Sequence, residues 1–279
     1  MNRLKKALGL LVSDPSLLFR RVVTEVRFSL HSPGHPVTKN LGGVKFEFDF
    51  AFDPSIKLMY RSVYEVDIIR IFRKYLRAGD TFIDVGANIG YLSAVASGSV
   101  GPSGQVHSFE PVPRYFERLK SFASMNADRR IVANQLALGE ADSTATINVT
   151  SLPNIGWNTL VSGMMKRENV GESIEVPVQR LDAYIGQHRL EKIALIKIDT
   201  EGFEFPVLKG LSQYLAKNKP VFMVEVAPSA YPLLGVTLTQ LKEYMSGFSY
   251  RAYAVHSGAE TDVTSLRETT NVLFVAQLH

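Results

Sequence analysis

The amino-acid sequence predicts an α/β protein with a doubly wound, mostly parallel sheet and an N-terminal extension in front of it. Two observations predict this fold. From about residue 80 onward, short apolar segments alternate with segments of helical periodicity, which is the pattern of parallel strands joined by helices. A glycine-containing turn also joins the first of these strands to the first helix, and such turns bind ligands in doubly wound sheets.

The individual elements follow from the spacing of apolar residues. Short apolar or alternating segments predict strands at 44–50, 81–85, 106–110, 131–136, 193–199 and 221–226. Apolar residues at helical spacing predict helices at 64–77, 91–99, 114–125, 203–216 and 238–247. A further strand pair is predicted at 144–150 and 173–180, and a final hairpin at 250–255 and 271–276.

Residues 1–63 are the predicted N-terminal extension, and residues 64–279 are the predicted main domain. Leu18, Val22 and Val26 recur at four-residue spacing in the extension, which predicts an amphipathic helix. We expect this helix to pack on the main domain. The alternative is weak peripheral contact with an anionic membrane surface, because the same segment is rich in lysine and arginine.

The composition excludes several kinds of chemistry. The sequence contains no cysteine, so disulfides, thiolate nucleophiles and cysteine-based zinc sites are excluded. The net charge is only +4, which does not indicate a nucleic-acid partner. No apolar segment approaches the roughly 20 residues that cross a bilayer, and the short apolar run near the start lacks the features of a signal peptide. We therefore expect a cytoplasmic protein, with the membrane surface as its alternative location.

The most informative segment is the turn from Asp84 to Gly90, which follows strand 81–85 and begins a helix. Glycines allow the backbone of such a turn to approach a ligand closely, and the helix N-terminus supplies free N–H groups. Glu110 follows Gly90 by about 20 residues, at the end of the second strand, where a carboxylate accepts hydrogen bonds from ribose hydroxyls. These features together predict a cofactor that contains a nucleoside.

The same turn distinguishes between two such cofactors. A dinucleotide-binding turn that starts at Gly86 would have glycine at positions 88 and 91, whereas this sequence has Asn88 and Tyr91. Asp84 lies two residues before the first glycine. A carboxylate there would repel a pyrophosphate but attract the ammonium group of a methionine moiety. The turn therefore predicts S-adenosylmethionine rather than NAD.

Five motifs occur in order along the chain, at residues 84–90, 109–111, 137–139, 176–182 and 196–202. This series resembles the FkbM family of S-adenosylmethionine-dependent methyltransferases over about residues 64–226, and weakly over the strand at 271–275. The resemblance implies a Rossmann-like class I methyltransferase sheet with a final antiparallel strand. It also implies O-methylation of a hydroxyl on a sugar, a glycolipid or a polyketide-type small molecule. The sequence departs from the commonest form of the family at Thr200, where an aliphatic residue is frequent.

The resemblance also assigns roles in cofactor binding by position. It implies that Gly86, Asn88 and Gly90 line the methionine and ribose side, that Glu110 holds the ribose, and that Ala137 lies beside the adenine. The complete set of residues expected to contact the cofactor is Asp84, Gly86, Ala87, Asn88, Gly90, Tyr91, Glu110, Ala137 and Asp199.

The candidate catalytic residues follow the fourth and fifth strands, since ligands bind beyond the carboxyl ends of strands in such sheets. Asp199 is expected to orient the ammonium group of the cofactor. A hydroxyl acceptor has to lose its proton, and Glu201 is the preferred general base, Glu225 the second choice and His256 a further candidate. In an alternative interpretation, Glu201 is a carboxylate that stabilises a helix N-terminus. In another, Asp199 and Glu225 share a divalent cation such as Mg²⁺.

The loop 151–163 carries the candidate acceptor-binding residues. Trp157 is the only tryptophan of the chain, and it lies between Asn154 and Asn158. An indole ring with neighbouring amides suits the apolar face and the hydroxyls of a sugar, although the same residues could simply anchor the loop. We expect a small-molecule or glycan acceptor and no nucleic acid, because the aromatic and basic surface of an RNA-binding module is not evident. The competing functions are an RNA or protein methyltransferase and a non-catalytic module that retains the cofactor fold.

Overall fold

The computed structural model describes residues 15–16, 19–20, 22–23, 26, 34–53, 55–151 and 157–277. The residues described between 15 and 26 are helical, and Phe19, Val22 and Val26 expose 69%, 53% and 54% of their surface. The expected packing of this helix on the main domain is therefore not observed at these side chains. No helix in the described part of the chain is long and apolar enough to cross a membrane.

The rest of the extension packs into the main core. Strands β1 (Val37–Asn40) and β2 (Lys45–Phe48) form an antiparallel pair, and helix α1 (Ile56–Tyr60) follows them. The rings of Phe46 and Phe48 are buried and contact Tyr91. The alternation predicted for this strand is thus confirmed, and its apolar face lies against the main domain.

The main sheet has seven strands: β3 (Thr81–Val85), β4 (Gln105–Phe109), β5 (Arg130–Asn134), β9 (Ile193–Ile198), β10 (Val221–Val226), β11 (Tyr250–Ala254) and β12 (Thr270–Ala276). Their order across the sheet is β11-β12-β10-β9-β3-β4-β5. The strands from β10 to β5 are parallel, whereas β12 is antiparallel to both of its neighbours. This arrangement confirms the predicted parallel sheet with a final antiparallel strand.

Helices cover both faces of this sheet, as expected for a doubly wound fold. They are α2 (Val66–Tyr75), α3 (Tyr91–Val100), α4 (Pro113–Met125), α5 (Leu181–His188), α6 (Glu204–Lys209), α7 (Ser212–Leu215) and α8 (Leu238–Gly247). Phe82 and Ile83 are consecutive in β3 but belong to separate apolar clusters, because successive side chains of a strand point to opposite faces. The two clusters are therefore the two layers of the core.

Several elements differ from their predictions. The strand predicted at 131–136 is present as β5, which ends at Asn134. The short strand β6 (Ala137–Leu138) follows it and pairs with β8 (Val170–Gln179) in a second sheet that also contains β7 (Ser143–Thr150). Strand β1 and helix α1 were not predicted. The predicted helix 203–216 is broken at Gly210, where a Cβ would lie 2.1 Å from the carbonyl oxygen of Gly139. Helix α5 was not predicted. The spacing of its apolar residues is compatible with either a short helix or a loop, so this spacing alone did not identify the helix.

Candidate active site

A cavity of about 340 Å³ lies at the carboxyl ends of the central parallel strands. Its size is typical of a small-molecule site. The turn after β3, the residues that follow β4 and β9, and Glu225 near the end of β10 form one side. The segment 55–65, which contains α1 and leads into α2, forms another side with Ser55, Met59, Tyr64 and Glu65. Elements from the extension and from the main domain therefore build the cavity together.

Gly86 is placed where the ends of β3 and β9 come into contact. Its φ is +77°, and a Cβ would lie 1.8 Å from the carbonyl oxygen of Asp199. No side chain fits there, so the turn requires glycine. Gly86 lines the cavity, as do Ala87 and Asn88, whereas Gly90 does not line it. A Cβ at Gly90 would meet Leu119 and Phe122 of α4, so the role of this second glycine is close packing rather than ligand contact.

Glu110 lies on the cavity wall, as the sequence predicted for a ribose-binding residue. It is 5% exposed. Its Oε2 accepts a hydrogen bond from the backbone N–H of Asn88 at 2.9 Å, and its Oε1 accepts one from Val112 at 2.9 Å. Burial raises the pKa of Glu110 to about 7, although these two hydrogen bonds favour the charged form. Glu110 is thus fixed in position and titrates near neutral pH.

Asp84 is not on the cavity wall, contrary to the expectation that it meets the cofactor directly. Its side chain is fully buried behind the turn. Its Oδ2 accepts a hydrogen bond from the Ser93 hydroxyl at 2.6 Å, and its Oδ1 lies 3.2 Å from the ammonium of Lys197. Because Ser93 and Lys197 surround this carboxylate, Asp84 reaches the cavity only through Lys197.

Lys197 lines the cavity and was not among the predicted site residues. Its Nζ lies 3.3 Å from Asp199 Oδ2 and donates a hydrogen bond to the carbonyl oxygen of Gly86 at 3.2 Å. Burial lowers the pKa of Lys197, but Asp199 and Asp84 outweigh burial and hold the pKa above its ordinary value. The sequence did carry a signal, since Lys197 is the one charge in the apolar strand 193–198 and buried lysines are almost always paired.

Three carboxylates lie at the carboxyl ends of β9 and β10: Asp199 and Glu201 follow β9, and Glu225 is the second-last residue of β10. Oxygens of Asp199, Glu201 and Glu225 all lie within 4.8 Å of one another, as the carboxyl ends of neighbouring parallel strands would require. The charge of Asp199, together with burial, raises the pKa of Glu225 well above its ordinary range. Glu225 therefore carries a proton at neutral pH, which is unfavourable for its predicted role as the second-choice base.

Glu201 keeps an unusual backbone conformation. Its φ is +52°, in the left-handed region that a residue other than glycine rarely adopts and that is enriched at functional sites. Its carbonyl oxygen accepts a hydrogen bond from the Thr159 hydroxyl at 2.7 Å. Glu201 also lines the cavity, so its carboxylate is within the site where the predicted base would act.

Glu204, rather than Glu201, stabilises the turn that enters α6. Its Oε1 accepts hydrogen bonds from the backbone N–H groups of Thr200 at 3.0 Å and Gly202 at 2.8 Å, and from the Thr200 hydroxyl at 3.1 Å. Glu204 thus makes hydrogen bonds of the kind that the alternative interpretation assigned to Glu201. Thr200, the departure from the family pattern, has a defined role as a hydrogen-bond donor in this turn.

Tyr64 is a further site residue that the sequence did not single out. Its ring lies 6.0 Å from that of Tyr91, which also lines the cavity. Burial, and then the charges of Glu65 and Asp199, raise the pKa of Tyr64 well above its ordinary value. Its phenol group therefore stays protonated and faces the acidic side of the cavity. Tyr64 is the first residue of the predicted helix 64–77, and its sequence context gave no pattern from which this position could be inferred.

The remaining predicted site residues are only partly brought together. Ala137 lies on the cavity wall beside Leu136 and Leu138, in the apolar part expected for adenine. Asn158 also lines the cavity, and its Oδ1 accepts a hydrogen bond from Thr150 N–H at 3.1 Å. Trp157 is partly buried but is not among the residues around the cavity, and Asn154 lies outside the described residues. His256 is exposed in the turn after β11 and does not line the cavity.

Comparison with known proteins gives relatives that are all methyltransferases by name. The chain is 26% identical over 183 residues to Methyltransferase 1 of Beauveria bassiana, over 59% of this chain and 72% of that protein. It is 29% identical to the 31-O-demethyl-FK506 methyltransferase FkbM of Streptomyces tacrolimicus, over 56% of this chain and 68% of that protein. It is also 29% identical to the hexuronic acid methyltransferase AglP of Haloferax volcanii, over 54% of this chain and 58% of that protein.

Among solved structures, methyltransferase FkbM from Methylobacillus flagellatus KT aligns with 79% of this chain at 17% identity and a TM-score of 0.44. The chain spans about half, 53%, of the length of that protein. The methyltransferase FkbM domain itself matches residues 84–252, which are more than half of the chain. With the glycine turn, Glu110 and the motif at 196–202 all inside the match, the chain belongs to the FkbM family of S-adenosylmethionine-dependent methyltransferases.

Proposed function

We propose that this enzyme transfers a methyl group to a hydroxyl of a sugar, a glycolipid or a polyketide-type small molecule. The observation that carries the proposal is the composition of the cavity: a nucleoside-binding half with Gly86 and Glu110 continues directly into an acidic half with Glu201. The names of two relatives give 31-O-demethyl-FK506 and a hexuronic acid as their acceptors, so oxygen-rich small molecules are methylated by similar chains.

The cofactor half fits S-adenosylmethionine in shape and in charge. Glu110 would accept hydrogen bonds from the ribose hydroxyls, and Ala137 would contact the adenine. Asp199, which is 31% exposed in its side chain, would face the ammonium group. When bound, the cofactor supplies a methyl group on a positively charged sulfur. Gly86 has no room for a Cβ, so only backbone atoms would form the wall beside the methionine moiety. This feature supports the fit.

The acidic half supplies a base for the acceptor. Methyl transfer is an in-line displacement, so most of the acceleration comes from holding the acceptor oxygen in line. Glu201 would take the proton of the acceptor hydroxyl, and a general base typically contributes about 10²- to 10⁴-fold. Glu225 already carries a proton, so it would donate a hydrogen bond to Asp199 or to the acceptor. This division of roles follows from the raised pKa of Glu225.

Methyl-label transfer from S-adenosylmethionine into a cell extract, with fractionation of the labelled product, tests the proposal. We expect the label in a small molecule or glycan, and we expect it to withstand alkaline hydrolysis, because an ether is stable to base and a methyl ester is not. The Glu201→Gln variant is the control. Label in RNA or protein, or label released by alkali, would contradict the proposal.

A divalent cation shared by Asp199 and Glu225 is the competing arrangement of the acidic half. Two observations favour it. Oxygens of Asp199, Glu201 and Glu225 lie within 4.8 Å of one another, and Glu225 Oε2 is buried without a hydrogen-bond partner. Such a cation would lower the pKa of the acceptor hydroxyl and replace the base. Treatment with a chelator, followed by addition of Mg²⁺, distinguishes the two. Activity that is lost and then restored supports the cation, and unchanged activity supports the base.

The exposed apolar residues of the N-terminal helix support a proposal about location. We propose a cytoplasmic enzyme whose helix, with Phe19, Val22 and Val26 exposed, contacts anionic lipid, since lysine and arginine are frequent in the same segment. Sedimentation with vesicles of phosphatidylglycerol, compared with phosphatidylcholine, tests this contact. Binding to the anionic vesicles that is lost in Phe19→Ser/Val22→Ser supports it, and equal recovery in the supernatant with both lipids contradicts it.

A further inference from the structure

The ammonium of Lys197 lies at the meeting point of three segments of the cavity. The side chain of Lys197 is 3% exposed. Its Nζ is 3.2 Å from Asp84 Oδ1, at the end of β3, and 3.3 Å from Asp199 Oδ2, after β9. It also donates a hydrogen bond to the carbonyl oxygen of Gly86, in the turn, at 3.2 Å. An ammonium group has three N–H donors and no acceptor, so two carboxylate oxygens and one carbonyl oxygen form a suitable environment for it.

The backbone around this ammonium is already in close contact. The N–H of Asp199 donates a hydrogen bond to the carbonyl oxygen of Val85 at 3.1 Å, and Gly86 has no room for a Cβ beside Asp199. The backbone therefore fixes the distance between the two strand ends. It does not fix the carboxylate of Asp199, which is held by contacts with Glu225 and with Lys197. Lys197 connects this carboxylate to the turn, because it also donates a hydrogen bond to Gly86.

Lys197 is also a counter-ion for two carboxylates. Its Nζ forms ion pairs with Asp199 and with Asp84, so its positive charge lies beside the carboxylate that lines the cavity. Without this charge, the fully buried Asp84 would also lose its counter-ion.

We propose that Lys197 is a positioning residue for the methionine half of the cofactor: it holds the side chain of Asp199 against the glycine turn, where the ammonium group of the cofactor binds. Lys197 itself, as a cation, does not bind that ammonium. The inference rests on the assignment of S-adenosylmethionine as the cofactor. It implies that Lys197 matters for ligands with an amino-acid moiety and not for ligands that carry only the adenosine part, which Glu110 and Ala137 bind.

Calorimetric titration of the full chain with two ligands tests this role. S-adenosylhomocysteine contains the amino-acid moiety, and 5′-methylthioadenosine lacks it. In Lys197→Met, we expect the dissociation constant of S-adenosylhomocysteine to rise about 10-fold or more, and that of 5′-methylthioadenosine to change by less than about threefold. The control is Lys209→Met, which removes a lysine paired with the exposed Glu140 outside the cavity and should change neither constant.

A second variant keeps the test valid if Lys197→Met fails to fold. Asp84→Asn/Lys197→Met removes the buried carboxylate together with its counter-ion, so it restores stability but leaves Asp199 without its cation. We expect the same selective loss of S-adenosylhomocysteine binding in the double variant. Equal weakening of both ligands, or no weakening of either, would overturn the positioning role. A wild-type protein that binds neither ligand would instead refute the cofactor assignment.

Discussion

At the residue scale, the pKa of Glu110 links cofactor binding to pH. Burial raises this pKa to about 7, and the ribose hydroxyls donate to the ionised form. Binding therefore favours loss of the proton, so affinity should increase as pH rises through 7 and level off above it. Titration with S-adenosylhomocysteine between pH 6 and 8 measures this.

Glu110→Gln should bind more weakly, by roughly 1.5–3 kcal/mol, and without the pH dependence. A wild-type dissociation constant that is constant over this range would contradict the assignment.

The two glutamates of the acidic half should respond differently to the same substitution. Glu201→Gln removes the proposed base, so turnover should fall by about 10²- to 10⁴-fold, while cofactor affinity stays within a few-fold. Glu225→Gln resembles the protonated form that this residue already adopts, so turnover should fall much less. Single-turnover methyl transfer with each variant measures the difference. Equal activity of Glu201→Gln and wild type would exclude Glu201 as the base.

The position of the glycine turn and of Glu110 at one cavity could be predicted from sequence, because they belong to one βαβ unit whose spacing defines their neighbourhood. Glu201 and Glu225 could be placed there from the rule that ligands bind beyond the carboxyl ends of parallel strands. Tyr64 could not, since it lies outside these strands and only the packed fold brings it to the cavity. The orientation of Asp84 was misjudged for the same reason, since its position gave no indication that Lys197 of a neighbouring strand would reach its carboxylate first.

At the element scale, the close approach of β3 and β9 makes the glycine turn intolerant of substitution. A Cβ at Gly86 would lie 1.8 Å from a backbone oxygen, whereas a Cβ at Gly235, which also has a positive φ of +68°, would meet nothing within 4 Å. Gly235 is in the left-handed helical region, so Gly235→Ala should cost only the conformational strain, about 1–2 kcal/mol. Gly86→Ala should cost more and abolish cofactor binding. Melting temperature and S-adenosylhomocysteine titration compare the two, and equal effects would mean that the contact relaxes easily.

The broken helix at Gly210 shows why element boundaries were less predictable than element types. The apolar period continues from 203 to 216 without interruption, so a single helix was the natural prediction. The break comes from the approach of Gly139, which belongs to a turn more than 60 residues earlier. Contacts of this kind depend on tertiary packing, and the spacing of apolar residues in the sequence does not predict them.

At the scale of the whole molecule, buried acids should make the stability depend on pH. The folded-state pKa values of Glu110 and Glu204 are both raised from 4.5 to about 7 by burial, so the native state binds more protons than the unfolded state between these values. The free energy of unfolding should therefore fall as pH rises from about 4.5 to 7, by roughly 3 kcal/mol for each group. Thermal unfolding of the cofactor-free protein across pH 5 to 8 measures the trend, and Glu204→Gln should reduce it. A melting temperature that rises over this interval would contradict the burial argument.

The position of β12 in the sheet affects how the protein folds during its synthesis. This strand lies between β10 and β11, although it follows both of them in sequence, and its Asn271 pairs with Glu225 of the acidic half. During synthesis, chains fold progressively from the N-terminal side. Until β12 emerges from the ribosome, β10 has an open edge of unpaired N–H and C=O groups, which is a hazard for aggregation. A nascent chain that stops short of residue 270 would keep this edge uncovered. We therefore expect the enzyme to become active only after nearly all of the described chain has been translated.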